Sequence, residues 1–495
     1  MSGLTVTDGL SAVLQKALQS SLVRSIVMRY AMRRMRHDII VTNPDGRPPR
    51  VQMHKYYMLR NLLERIDDAI RERRISAHAQ FVFLRSFLLN VLLNTDWEIA
   101  RKRIGFYPPR TLTISPTKKC NLACRGCYAD SSPTKETKLS YPVLSRIIRE
   151  MRELWNSYFV VISGGEPLMW EDEGKTILDV ASENPQSFFL MYTNGTLIDP
   201  KMARRLEGVG NITPAVSVEG LEAETDDRRG KGVFAKVVAA FQNLRAAGVP
   251  FGVSMTATRD NVDRLLQDDV LDFCFDEMGA IYAWIFQYMP IGRKHTLNLM
   301  VTPEQRLAMY RRTMDLLANR GLFIADFWNT GELSSGCISA GRPNGYAYID
   351  WHGNVLPCVF VPYFSDNIND IFARGGNIND IVRSDFFASV RKWQDEYGFN
   401  TSGKNLNNWI APCPYRDHHE LIRKAVEQYR AKPADENAAE ALQDPEYYKG
   451  MVEYGARFRK LTDEIWTKEY LEDTSIDLHK LPLGRRKQPP RASIN

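Results

Sequence analysis

The chain has 495 residues, 44% of them hydrophobic and 25% charged, with a formal net charge of +6. That length exceeds what one hydrophobic core usually serves, so a main domain with additions is expected. The composition is that of an ordinary globular protein and excludes a disordered chain.

The charge is unevenly placed. Residues 1–60 hold ten Lys or Arg against Asp8, Asp38 and Asp45, a local excess of seven, with a small echo at Arg485, Arg486, Lys487 and Arg491. No secretory signal opens the sequence. The longest apolar stretch, "FVFLRSFLLNVLL" at 81–93, is interrupted by Arg85 and Asn90 and is too short for a membrane span. Seven cysteines without a signal sequence favour reduced thiols or metal ligands over disulfides and place the chain in the cytosol.

Residues 1–108 read as helical. "LVRSIVMRYAMRRM" sets Leu22, Val23, Ile26, Val27 and Tyr30 on one face, opposed by arginines at 24, 29, 33, 34 and 36. Tyr107, Pro108 and Pro109 then stop the helices. After them, "TLTIS", "YFVVIS", "SFFLMYT", "TPAVSV", "PFGVSMTAT" and "AWIFQY" alternate with amphipathic runs such as "VFAKVVAAFQNLRAAG", which closes on Gly248 as a C-cap. Six strand–helix units predict an α/β fold, a partial (β/α)6 TIM-like barrel over 109–300. Reactive residues of such barrels follow the strands. Here "CNLACRGCYAD" follows the first, "SGGEP" the second, "TNGT" the third, and Ser217 with Glu219 the fourth. Residues 301–420 are irregular and hold Cys337, Cys358 and Cys413; 421–495 is a helical, charged extension whose basic tail reads as disordered.

Cys120, Cys124 and Cys127 are one ligand short of a zinc set. Three thiolates can hold a 4Fe–4S cluster and leave its fourth iron open. With "GGEP" and the βα rhythm around it, the spacing resembles the radical S-adenosylmethionine (radical SAM) superfamily over residues 109–300. The resemblance implies that these cysteines ligate a 4Fe–4S cluster whose open iron binds S-adenosylmethionine (SAM). It further implies that Gly164, Gly165 and Glu166 meet the SAM amine and that Ser217 bonds the ribose or carboxylate. Arg229, with Arg228 as the reserve choice, would pair with the methionyl carboxylate. Many relatives carry an aromatic residue before the third cysteine; here it is Gly126, and Tyr128 is the candidate to replace it beside the adenine.

Fifteen residues separate Cys337 from Gly353, and Cys358 stands five after that glycine. With Cys413 this resembles the SPASM or twitch auxiliary-cluster domains and implies a second cluster. The family adds further cysteines here, so Asp417, His418, His419 or no residue at all supplies the fourth ligand; a zinc site or a vestigial domain is the competing reading. His418 and His419 are otherwise expected at an exposed helix start, and Cys274 in the core. Gln287 and Tyr288, at a strand end, are candidates for the substrate pocket.

The implied function is a radical enzyme of oxidoreductase or transferase type. It would take hydrogen from an unactivated C–H bond of a lipid-like or peptide substrate, with flavodoxin or ferredoxin as reductant. The alternative is a non-catalytic iron–sulfur relay or redox sensor, which has no use for "GGEP" or Arg229. The basic N-terminal helices read either as a cover on the barrel or as a surface for anionic membrane, peripheral to the inner face. No recognition fold there speaks for nucleic acid.

Overall fold

Each apolar run read as a strand is one, and the six lie side by side. The computed structural model describes residues 20–43, 46–92, 94, 97–403 and 406–484. Lys16, the apolar residue Leu93 and the basic tail fall outside the described residues. The strands are β1 (Thr111–Ile114), β2 (Phe159–Ile162), β3 (Phe188–Thr193), β4 (Ile212–Ser217), β5 (Gly252–Ala257) and β6 (Ala283–Gln287). All are parallel neighbours in that order. Their near-continuous apolar sequences follow from burial on both faces, inside against side chains and outside against helices. The helix Val233–Ala247 closes on Gly248, as its sequence requires.

The sheet does not end at residue 300. β7 (Ile324–Asp326) extends one edge beyond β6. β8 (Tyr346–Ile349) pairs in parallel with β1, followed by the antiparallel β9 (Asn354–Leu356) and β10 (Asp366–Asn367). The region of the second cysteine set is thus hydrogen-bonded into the barrel sheet.

Three helices lie across the N-terminal ends of the strands: α1 (Ser21–Arg36), α2 (Pro49–Arg71) and α3 (Ala77–Phe83), the last continuing as a π-helix over Leu84–Leu92. Ala69 of α2 and Ala79 of α3 pack with Val161, Leu190, Ala215, Ile281 and Tyr282. No helix among the described residues is long and apolar enough to cross a membrane.

α1 corrects the expectation of one apolar and one basic face. Val27, Met28 and Ala31 turn inward, whereas Leu22, Ile26 and Tyr30 stand 68%, 53% and 70% exposed. Arg24 pairs with Asp67 at 2.8 Å and Arg36 donates to the carbonyls of Leu478 and His479, so two of the five arginines serve the fold. Arg29, Arg33 and Arg34 remain exposed. The heptad pattern could not separate the two sides because both are apolar.

The His418–His419 pair is also not exposed. His419 starts the helix His419–Gln428, is 3% exposed, and bonds the Tyr415 carbonyl at 2.8 Å. Burial lowers its pKa to about 4 and keeps the ring neutral. Tyrosines 415, 447 and 448 surround it, apolar faces the local sequence does not announce. Cys274 is fully buried, as a core thiol should be.

Candidate active site

The chain leaves β1 and returns over the rim to present Cys120, Cys124 and Cys127 to a cavity of about 300 Å³ at the C-terminal ends of the strands. Tyr128, Gly164, Gly165, Ser217 and Arg229 line the same cavity, as do Gln287 and Tyr288 at the end of β6. Residues from Cys120 to Tyr288 are thereby brought to one place. The remaining wall is largely aromatic, with Tyr192, Phe286, Phe327 and Phe360.

The glycines of "SGGEP" are needed by the backbone beside them. A Cβ on Gly165 would stand 2.1 Å from the Lys119 carbonyl oxygen. That closeness lets Gly165 N–H donate to Thr117 O and Glu166 N–H to Lys119 O, each at 2.8 Å. The second strand's loop thus fixes the segment that enters Cys120. Glu166 itself is fully buried and is not among the residues lining the cavity. Its carboxylate accepts from Thr193 Oγ1 (2.8 Å) and from the N–H groups of Asn194 (2.8 Å) and Leu168 (3.1 Å). Burial raises its pKa and those donors oppose the rise. In this arrangement Glu166 holds the "TNGT" turn, whose Asn194 Nδ2 points at Cys120 Sγ from 3.6 Å.

Electrostatically the opposite wall is positive. Arg228 and Arg229 both donate to one oxygen, Glu219 Oε1, at 2.6 and 2.8 Å, and Glu219 is fully buried. Two buried guanidinium groups share one carboxylate, and Arg228 Nε has no partner. Such a site favours a further anion, and the charges of Cys124 and Cys127 when ionised act on Arg229 in that sense. Burial pushes the Cys120 thiol up to about 12. A thiolate there needs a cation bound to it, which a thiolate-ligated metal supplies. The donor set, the unneutralised arginine charge and the dry walls together fit an iron–sulfur cluster with an anionic ligand.

At Gly126, φ is +66° and a Cβ would meet the Tyr288 ring at 2.7 Å. The space where relatives carry an aromatic residue is filled from β6 instead. Tyr128 points elsewhere: its hydroxyl lies 2.6 Å from Ser163 Oγ and accepts from Gly164 N–H at 3.0 Å.

Several contributors escaped the motif reading. Glu219 fixes both arginines; the "SVEG" stretch after β4 carried the signal, but no role followed from it. Arg293 holds the cysteine loop: its N–H donates to Cys127 O and its Nη1 to Cys124 O, both at 3.0 Å. A lone arginine in "IGRKH" gives no such hint.

Cys337, Cys358 and Cys413 line a second cavity of about 210 Å³. Phe327, Tyr346 and Phe360 line both this cavity and the first, so a single layer of side chains separates them. The Tyr346 hydroxyl lies 2.8 Å from Cys358 Sγ. Burial raises the Cys358 thiol and pushes Cys413 up to about 12. Arg416 is fully buried, stacks over Trp328 at 4.5 Å, pairs with Asp417 at 3.6 Å and donates to Gln287 Oε1 at 2.7 Å, yet leaves Nε and Nη2 without hydrogen-bond partners, a cation beside the Cys413 sulfur. Asp417 is committed to Arg306, and His418 and His419 to the carbonyls of Ala411 and Tyr415. None of the three lines this cavity, which the described residues furnish with three cysteine sulfurs. Among the described residues no three His, Cys, Asp or Glu side chains are drawn up around a single metal ion.

Comparison with known proteins bears on the family. The family model of the radical SAM superfamily matches residues 114–268. The mycofactocin maturase MftC of Mycobacterium ulcerans is 31% identical over 289 residues, 56% of this chain and 73% of that one. An AdoMet-dependent heme synthase of Methanosarcina barkeri is 26% identical, over 53% of this chain and 80% of its own. The crystal structure of Streptococcus suis SuiB bound to precursor peptide SuiA superimposes with a TM-score of 0.48 at 19% identity, covering 59% of this chain and 69% of that one.

Proposed function

The chain belongs to the radical SAM superfamily, and from that premise we propose that it takes a hydrogen atom from an unactivated C–H bond of a lipid-like substrate. Its enzymes work with a 4Fe–4S cluster and SAM, which when bound supply a 5′-deoxyadenosyl radical. Cys120, Cys124 and Cys127 hold the cluster in this reading. The backbone of Gly164 and Gly165 faces the methionyl amine, Ser217 the ribose or carboxylate, and Arg229, oriented by Glu219, the carboxylate. Tyr288, seated against Gly126, is the aromatic group available to the adenine. Phe286, Phe327 and Phe360 exclude water, which keeps a reactive radical from being quenched. Cys337, Cys358 and Cys413 hold a second cluster across the Tyr346–Phe360 wall, and a flavodoxin or ferredoxin supplies electrons.

The observation that carries this reading is the convergence of the three cysteines, the glycines, Ser217 and the arginine pair on one aromatic-walled cavity. Protein reconstituted anaerobically with iron and sulfide, then given dithionite and SAM, is expected to release 5′-deoxyadenosine. A perdeuterated lipid extract should place deuterium in it. No 5′-deoxyadenosine above the cluster-free control would sink the proposal. Deuterium arriving only from labelled peptides would replace the lipid by a peptide. That second reading draws on the 31% identity to an enzyme named as a maturase.

A lipid substrate agrees with the outer face of α1. Leu22, Ile26 and Tyr30 recur every fourth residue and stand exposed, flanked by exposed Arg29, Arg33 and Arg34. Such a face rests on the cytoplasmic surface of an anionic bilayer, each cation adding about 1 kcal/mol. Vesicles containing phosphatidylglycerol are expected to sediment the protein at low salt. Raised salt, or Arg29→Gln with Arg33→Gln and Ile26→Asp, should return it to the supernatant. Equal recovery with and without anionic vesicles would remove the membrane from the account.

A further inference from the structure

The floor of the barrel holds a cavity that the chemistry above does not use. It measures about 230 Å³ and lies between α1, α2, the α3 segment and the N-terminal ends of β2, β3 and β4. Its walls are aliphatic and aromatic, among them Val27, Ala31, Leu63, Ile66, Leu88 and Phe188. Several of the polar groups among them are engaged with protein partners. Thr213 Oγ1 donates to Pro250 O at 3.0 Å and lies 2.8 Å from the Tyr282 hydroxyl. Gln80 Nε2 donates to Ile75 O at 2.9 Å, and Arg24 pairs with Asp67.

Walls of this kind offer a guest dispersion and little else. Water entering would give up hydrogen bonds, and an apolar cavity of about 150 Å³ already stays dry and takes a benzene-sized guest. An empty apolar cavity also costs stability in proportion to its volume, and the interior of a barrel is ordinarily packed with side chains. A resident apolar chain removes that cost. Two placements say where such a chain comes from and where it leads. At one side the lining reaches the surface at Leu92, 39% exposed, and it includes Val27, Met28 and Ala31 of the helix that turns Leu22, Ile26 and Tyr30 outward. At the other, Phe159, Leu190 and Trp284 line both this cavity and the one holding Cys120, Cys124 and Cys127.

We propose that the floor cavity seats the aliphatic chain of a membrane lipid, drawn in beneath α1, with Phe159, Leu190 and Trp284 as the layer between the bound chain and the reacting space. The inference rests on the reading of a lipid-like substrate and names the site that would recognise it. Recognition is by length and apolarity of the chain, since the walls that meet it are aliphatic and aromatic.

The test is a titration of the full chain, without SAM, with cis-parinaric acid, whose fluorescence rises in apolar surroundings. Saturable binding is expected. Ala31→Trp and Leu63→Trp fill the cavity from two different helices, and each is expected to weaken binding about tenfold or more, equivalent to about 1.4 kcal/mol. Circular dichroism verifies that each variant is folded. If one does not fold, the other is decisive, and Phe87→Ala, which enlarges the cavity, should accept a longer chain. Absence of saturable binding, or equal affinity in folded cavity-filled variants, overturns the site. 5′-Deoxyadenosine formation is measured on the same wild-type preparation. Production of it without probe binding overturns the floor site alone, whereas probe binding without it supports the site and overturns the radical reading.

Discussion

Alanine at Cys120, Cys124 or Cys127 is expected to abolish 5′-deoxyadenosine formation from SAM while leaving the chain folded. The three sulfurs are the donors that the reaction cavity presents together, and each would hold a different iron. Losing one leaves a cluster that two thiolates cannot retain with its open iron in place. Folding should survive because the loop is held by other bonds. Gly165 and Glu166 bind Thr117 and Lys119, and Arg293 binds the carbonyls of Cys124 and Cys127. Cys120 is the most buried of the three, and removing its sulfur costs about 1 kcal/mol, an ordinary core loss. The measurement is product chromatography beside iron content and a thermal melt. A single variant that cleaves SAM at the wild-type rate would overturn the assignment of the cluster. A wild-type melt with no cleavage would support it, since only the ligand has then been lost.

The distinction between these two readouts rests on how the molecule divides its labour. Core strands and helices were legible from the sequence because parallel strands are apolar throughout and helices carry a 3.6-residue period. The cysteines were legible because their spacing is a chemical requirement. Direction was not. Glu166 stands in the expected motif, yet its carboxylate serves Thr193 and Asn194, a partner choice made 27 residues away. Gly126 read as a missing aromatic residue, and the ring that fills its place belongs to Tyr288, 162 positions later. β8 was missed because four residues between Gly- and Pro-rich turns carry too little pattern; its pairing with β1 decides its structure. The two faces of α1 were merged for a related cause. A helix with apolar residues on opposite sides has no single stripe for periodicity to find.

The largest effect beyond the first cluster is expected from the second cysteine set. Cys337→Ala combined with Cys358→Ala should lower bound iron from two clusters toward one and stop product formation, while SAM cleavage uncoupled from product continues. The cavity they line has three cysteine sulfurs, and the pair removes two, leaving Cys413 as the one thiol there, beside Arg416. One thiolate does not retain a cluster, so the iron it held should be lost outright. The barrel cluster would sit in a different cavity with its own three cysteines, and it should load normally. Coupling between the two is built into Phe327, Tyr346 and Phe360, which face both cavities, so loss on one side is felt by substrate on the other. The fold has reason to tolerate the change: with Cys358 gone, the Tyr346 hydroxyl keeps the Val359 N–H at 3.3 Å, and β8 keeps its pairing with β1. Iron analysis and electron paramagnetic resonance of the dithionite-reduced protein count the clusters, and chromatography follows 5′-deoxyadenosine. Iron unchanged in the double variant would remove the second cluster from the mechanism. Loss of SAM cleavage together with the iron, in a chain that still melts as the wild type does, would show instead that the two sites load as one.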